Sequence, residues 1–133
     1  MEEIELDYPD SDPNKDKVVD KMESMMVYAE PILQKYPKFA RFNLVTDIIR
    51  CMDRIMETAV EAEKKYFKKT TLQTLDVDVE RLRRYVRISL RLKYISHRTY
   101  KVWSEKVNEV GRMVGGWIMK DREKEKAREN RKK

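Results

Sequence analysis

The sequence contains few of the residues that build turns, bridges and metal sites. Its 133 residues include three Gly, four Pro, one Cys and one His. So little turn chemistry argues against a multistranded sheet, and a single cysteine excludes an intrachain disulfide. His97 stands alone beside a predicted helix cap at Ser96, so neither a histidine pair for a metal nor a Cys–His nucleophile is available. With no glycine-rich phosphate loop either, we expect a protein that is not an enzyme and needs no metal or cofactor.

Long apolar runs are also missing. No apolar segment reaches the roughly 20 residues that cross a bilayer. Residues 1–16 are acidic and lack the basic start and apolar run of a signal peptide. Cys51 lies in an apolar stretch, which suits a small buried hydrophobe in a reducing compartment. The sequence therefore predicts a soluble cytoplasmic protein with no membrane partner.

The charge that is present is unevenly distributed. The net charge is +6, yet residues 1–16 contain seven acidic residues against one lysine, and residues 120–133 contain eight basic residues against four acidic ones. Between Arg81 and Arg112 there are ten Lys or Arg and two acids, Glu105 and Glu109. A local excess of this size predicts one strongly basic surface on the second half of the chain.

Apolar residues recur at steps of three and four, the period of an amphipathic helix, in four segments. The first two predicted stripes are Val18, Met22, Met25, Ala29, Ile32, Tyr36 and then Val45, Ile48, Met52, Ile55, Ala59, Ala62, Tyr66. The last two are Leu75, Val79, Leu82, Val86, Leu90 and then Trp103, Val107, Val110, Val114, Trp117, Ile118. Four such helices with short links predict an all-α, antiparallel up-down-up-down four-helix bundle.

The same pattern divides the chain. We expect residues 1–15 to form an acidic, flexible segment, residues 16–119 the bundle, and residues 120–133 a charged tail that is a frayed helix or mobile. Asp12 and Pro13 form a plausible cap for the first helix, and Pro31 should bend it. The third helix has two candidate starts, Thr71 and Asp76.

The basic surface is rich in arginine, whose planar guanidinium donates two parallel hydrogen bonds to a phosphate. The predicted contacts on the third and fourth helices are Arg83, Arg84, Arg87, Arg91, Arg98, Lys101 and Arg112. Glu80 can pair with Arg84, and a solvated bundle face is the alternative interpretation. A second cluster, residues 64–69, contains four lysines. We predict phosphate contacts rather than base recognition, because tyrosines on bundle helices usually belong to the core.

Gly111 and Gly115 are four residues apart on one side of the fourth helix, where a second helix can approach closely. Each glycine costs about 1 kcal/mol of helix propensity relative to alanine, so tight packing should compensate. That packing is either a helix crossing within the chain or a contact between subunits. Trp117 is expected to anchor the same packing.

Four segments carry a resemblance to a known family. The segment Glu109–Ile118, EVGRMVGGWI, resembles the closing helix of the accessory variability determinant (Avd) proteins of diversity-generating retroelements. The link KYPKFARF at residues 35–42 and the segment LDVDVERLR at residues 75–83 are similar to the family's first link and third helix. Tyr94, Ile95, Ser96 and Tyr100 are similar to the turn before its last helix. The resemblance covers roughly residues 18–120 and extends to bundles encoded in intervening sequences of bacterial large-subunit ribosomal RNA genes.

What this resemblance implies is a basic four-helix bundle that assembles as a homopentameric barrel and binds the reverse transcriptase of its retroelement. With it, that enzyme copies template RNA into mutagenised cDNA during mutagenic retrohoming, and the bundle itself binds RNA or cDNA. The alternative is a self-assembling structural bundle of the ribosomal intervening-sequence type, with no polymerase partner. The neighbouring genes discriminate between these two alternatives: a reverse transcriptase gene and a variable-protein gene with paired repeats favour the first, and a ribosomal RNA operon favours the second. A regulator of duplex DNA is a weaker option, since no helix-turn-helix pattern is visible.

Overall fold

The computed structural model describes residues 17–132. These residues form four α-helices and, among them, no strand. The helices are α1 (Val18–Gln34), α2 (Leu44–Lys64), α3 (Lys69–Arg91) and α4 (His97–Arg131), with a short 3-10 turn at Lys38–Ala40. The prediction of an all-α chain with four helices is confirmed for this part of the sequence. The proposed cap at Asp12 and Pro13 lies outside the described residues.

Each helix packs against the next along the chain, and α1 also packs against α4. Because the links are short, consecutive helices run in opposite directions, and the α1–α4 contact closes the set into an up-down-up-down bundle. No helix among residues 17–132 is long and apolar enough to span a membrane.

The core contains the predicted stripes with few exceptions. Fully buried residues of these stripes include Trp103, Met22, Met25, Ile48 and Ile55, and Leu72 is a buried residue that the predicted third stripe did not include. The clearest error is Tyr66, which was expected to extend the α2 stripe but is 70% exposed. The reason is that α2 ends at Lys64 and Lys65 adopts an extended conformation, so the chain leaves the helical period before Tyr66. At the ends of other stripes, Ile32, Leu90, Trp117 and Ile118 are half-buried rather than buried.

The helix ends follow local chemistry. The Ser96 hydroxyl accepts a hydrogen bond from the Thr99 amide at 3.1 Å, so the predicted cap of α4 is confirmed. α3 begins earlier than either candidate start, at Lys69. It ends in a Schellman motif in which the Tyr94 amide donates to the Ser89 carbonyl and the Lys93 amide to the Leu90 carbonyl. Lys93 has φ 61°, a left-handed conformation that usually favours glycine.

Because α3 begins at Lys69, Asp78 lies within the helix rather than in its first turn. It is buried there, with 1% of the residue exposed. Its carboxylate lies 3.4 Å from Nη1 of Arg81 and 3.6 Å from Nε of Arg54. Its backbone carbonyl accepts a hydrogen bond from the thiol of Cys51 on α2. Asp78 is therefore a buried polar link between α2 and α3.

The C-terminal segment differs most from expectation. We expected residues 120–133 to be a frayed helix or a mobile tail, but α4 continues without interruption to Arg131. Asp121 is buried on this extension, and the Arg128 guanidinium lies 4.8 Å from the ring centre of Tyr66. The segment lacks an apolar stripe, and it is packed against the α2–α3 link by cation–π contacts instead.

Candidate nucleic-acid interface

Three of the predicted arginines follow the side of α3 that faces α4. Arg83, Arg87 and Arg91 are spaced by four residues, so they lie along one line of the helix. Arg83 fixes the orientation of that line, because its Nε donates a hydrogen bond to Oδ1 of Asn108 on α4 at 2.9 Å. At Arg83 the line therefore borders the groove between the two helices.

Glu80 reduces the charge at one end of this surface. Its two carboxylate oxygens accept hydrogen bonds from Nη1 of Arg83 and, at 3.2 Å, from Nε of Arg84. The expected pair with Arg84 is present, and the pair with Arg83 was not foreseen. Arg83 has 38% of its side chain exposed and is engaged by two intrachain partners. Its first role is thus to connect α3 with α4.

Arg87 and Arg91 are different. Both are exposed, and neither makes an ion pair within residues 17–132. Without an acidic neighbour, two guanidinium groups on adjacent turns repel each other, and an external anion would relieve that repulsion. Of the predicted arginines on α3, these two are the ones that no acidic side chain among residues 17–132 neutralises.

The three predicted residues of α4 are also exposed, and in the described chain none of them is ion-paired. The helices are antiparallel, and the Arg83–Asn108 bond sets their register. Arg91 lies eight residues beyond Arg83, about 12 Å along the axis, which brings it level with the first turns of α4. Arg98 and Lys101 occupy those turns, so their charges extend the surface of Arg91. Arg112 extends it at the other end, next to the level of Arg83.

The glycines of α4 separate into two environments. A Cβ at Gly111 would lie 2.8 Å from Nη2 of Arg83 and 3.7 Å from Cγ1 of Val79, so this glycine allows the close crossing of α3 and α4. At Gly115 a Cβ would meet no atom of the described part of the chain within 4 Å. Trp117 is half-buried, with Nζ of Lys68 5.5 Å from the centre of its ring. Packing within one chain accounts for Gly111, and it leaves Gly115 unexplained.

Tyr85 and Tyr94 do not form an exposed stacking platform. Both are partly buried, and the Tyr94 ring lies 5.4 Å from that of Tyr36 and 6.2 Å from that of Phe39. Their position agrees with the interpretation of these tyrosines as partial core. No group of three potential metal ligands occurs among residues 17–132.

Sequence reasoning missed two features of the surface. One is the bond between Arg83 and Asn108, for which no local pattern exists because the partners are 25 positions apart. The other is a basic and aromatic cluster around Tyr66, Phe67 and Arg128. A signal for the second was present, since Lys120, Lys124 and Arg128 repeat every four residues and mark one line of a continuing helix.

Fold and surface together define a small helical-bundle protein with an arginine-rich face on its α3–α4 pair. The sequence matches the model of the bAvd-like family over residues 18–121, which is most of the chain, and the protein belongs to that family. The span agrees with the resemblance found between residues 18 and 120. No curated protein gives a significant match.

Proposed function

We propose that this protein is the accessory subunit of a diversity-generating retroelement, binding its reverse transcriptase and supporting mutagenic cDNA synthesis. The observation that carries the proposal is the bAvd-like match across the bundle. In this proposal the protein is a cytoplasmic binding protein rather than an enzyme. The chemistry belongs to the polymerase, and the bundle supplies contacts to the enzyme and its template.

We assign template RNA or cDNA to the α3–α4 surface, which consists of Arg83, Arg84, Arg87, Arg91, Arg98, Lys101 and Arg112. Arg87 and Arg91 support this assignment, because they are exposed and lack an ion-pair partner in the described chain. Arg84, Arg98, Lys101 and Arg112 extend the same positive surface on both helices. Contacts of this kind are made to phosphates, so binding should be weakly dependent on sequence and strongly dependent on salt.

A homopentamer is the assembly that we propose, following the family resemblance. Gly115 supports a contact between copies of the chain, since it lies within α4 and no atom of residues 17–132 lies within 4 Å of the position of a Cβ. A second helix could approach there as closely as α3 approaches Gly111.

The first test is to coexpress the tagged protein with a reverse transcriptase encoded beside it and to measure the eluted complex by light scattering. A stoichiometric complex with several bundles for each enzyme is the expected result. An oligomer that does not bind the enzyme, or a gene for this protein located in a ribosomal RNA operon, would favour a structural bundle of the intervening-sequence type.

The nucleic-acid surface has its own test. The variant Arg84→Glu/Arg87→Glu/Arg91→Glu should bind RNA much more weakly than the original protein while keeping its helicity and oligomer size. The matched control is Lys35→Glu/Lys38→Glu, which reverses charges on the link between α1 and α2. Unchanged affinity in the triple variant would show that α3 does not contact RNA.

A further inference from the structure

A basic cleft lies at the end of the bundle where α1 begins, and it is distinct from the α3–α4 surface. It is formed by the start of α1, the α2–α3 link and the second half of α4, and it has a volume of about 970 Å³. This volume is at the upper end of the range of small-molecule sites, which is roughly 300–1,000 Å³. Among residues 17–132, eight lining residues are Lys or Arg, and two are acidic, Glu63 and Asp121. We call this feature the basic cleft.

Most of the positive charge in the basic cleft is not neutralised locally. Lys65 is paired, because its Nζ lies 2.6 Å from Oε1 of Glu61. Lys64, Lys120 and Lys124 make no ion pair within residues 17–132, although they line one cavity. Like charges that converge in a concave site raise the local potential and attract anions. The cleft therefore has the electrostatics of a polyanion site.

Two exposed aromatic rings lie at this cleft: Tyr66 lines it, and Phe67 is the next residue in the chain, outside the lining residues. Tyr66 and Phe67 are 70% and 73% exposed and lie in the link between α2 and α3. The two rings meet edge to face, with their centres 4.8 Å apart. The guanidinium of Arg128 lies over both, at 4.8 Å from the Tyr66 ring and 5.0 Å from the Phe67 ring. These contacts hold the rings in place before any ligand arrives, which lowers the entropic cost of stacking on them.

We infer that the basic cleft binds single-stranded nucleic acid, with phosphates on Lys64, Lys120 and Lys124 and bases stacked against Tyr66 and Phe67. A positive groove that tracks the backbone, combined with aromatic side chains for the bases, is the usual chemistry of single-strand binding. A duplex keeps its base faces stacked inside, so it can use the lysines but not the rings. An acidic peptide would likewise leave the rings unused.

The cleft does not depend on the reverse transcriptase or on the α3–α4 surface. Arg91 lies at the last turn of α3, whereas the cleft adjoins the first turn of that helix. Two sites at different levels of one bundle would let a single strand contact both. The site on α3 and α4 would hold phosphates, and the cleft would also hold bases.

The test measures the affinity of the full chain for a labelled oligouridine and for heparin, a polyanion without bases. Tyr66→Ala/Phe67→Ala should weaken oligouridine binding roughly tenfold or more, because the bases then have no ring on which to stack. The same variant should leave heparin binding unchanged. Lys120→Glu/Lys124→Glu should lower the affinity for both ligands. It should also reduce the magnitude of the slope of log K against log salt by about 0.7 for each phosphate that the protein no longer neutralises. Lys35→Glu/Lys38→Glu is the control for charge reversal at the other end of the bundle.

A second measurement uses the unaltered protein, so that it does not depend on the folding of any variant. An oligonucleotide carrying iodouridine is cross-linked by light, and the modified residues are mapped by mass spectrometry. Cross-links at Tyr66, Phe67 or the cleft residue Trp117 are expected. Cross-links confined to the α3–α4 surface, with unchanged affinity in the ring variant, would overturn this inference and leave the proposed function standing.

Two further outcomes also decide the matter. If removal of the rings lowers the affinity for heparin as much as that for oligouridine, the rings only maintain the structure of the cleft. That result would refute base stacking. If the protein binds no RNA at all, both the cleft and the nucleic-acid part of the proposed function fail. The complex with the reverse transcriptase is measured separately by coexpression and would be unaffected.

Discussion

Gly115 provides the sharpest test of how α4 is used. It either contacts another subunit or faces solvent, and the two cases predict different effects of an added side chain on oligomer size. The glycine lies inside a 35-residue helix, and within residues 17–132 no atom lies closer than 4 Å to a Cβ placed at this position. Gly115→Ala should therefore gain the helix propensity of alanine, about 1 kcal/mol, with no steric cost inside the chain. For a domain of this size, that corresponds to a rise in melting temperature of roughly 4 °C.

Gly111 is the matched contrast on the same helix. An added Cβ would meet Nη2 of Arg83 at 2.8 Å, so the guanidinium must move away from Asn108 and Glu80. The loss of those hydrogen bonds offsets about 1 kcal/mol of helix propensity, and Gly111→Ala should stabilise the bundle less than Gly115→Ala does.

The assay combines urea unfolding, followed by circular dichroism at several protein concentrations, with light scattering. Concentration matters because the stability of an oligomer includes its association. If Gly115 lies between subunits, Gly115→Ala should lower the fraction of chains in the oligomer, while the free energy of unfolding of the dissociated chain rises. If it faces solvent in the assembly, oligomer size should not change. A dissociated Gly115→Ala chain less stable than the original would refute the reasoning, since the Cβ would then meet something that the bundle does not show.

Three other predictions concern the bundle itself. Asp78→Asn should lower the free energy of unfolding in urea by about 2 kcal/mol, because it leaves two arginines beside a neutral amide; equal effects from Asp78→Asn and the exposed control Asp76→Asn would contradict it. Lys93→Gly should stabilise the protein by about 1 kcal/mol in the same assay, because glycine adopts the left-handed backbone conformation of this position without the steric cost of a Cβ. Lys93→Ala should not, since alanine keeps the Cβ. Burial raises the pKa of the Cys51 thiol from 9.0 to about 11, so between those pH values the unfolded chain loses a proton that the folded chain retains. The free energy of unfolding should fall across that range, and Cys51→Ala should show a shallower fall; identical slopes would argue against the shift.

The fold was largely predictable from sequence, because an apolar period of three to four residues persists through four segments and each segment buries that stripe. The pattern identified the core from Met22 to Val114, and the Ser96 cap identified where α4 begins. It failed where helices end. Tyr66 continues the period of α2 in sequence, but the extended backbone at Lys65 turns it out to solvent. A helical period alone does not reveal such a break.

The candidate sites were less predictable for a different reason. Charge and helical spacing identify which arginines share a face, but they do not show which of them find partners on another helix. Arg83 and Arg87 look equivalent in sequence, yet one bonds to Asn108 and Glu80 while the other makes no ion pair in the described chain. Partners of this kind depend on the register between helices, which only packing sets.

The charged end of α4 shows how the absence of an apolar stripe can mislead. Residues 120–131 read as a solvated tail, since nothing in them would reward burial in a core. The chain instead stabilises the extension with cations and rings, placing Arg128 over Tyr66 and Phe67. The same contacts bring the lysines of α4 opposite those of the α2–α3 link and so create the basic cleft. A segment without an apolar stripe of its own thus adds a basic surface to the bundle, because the aromatic residues against which it packs are supplied by another part of the chain.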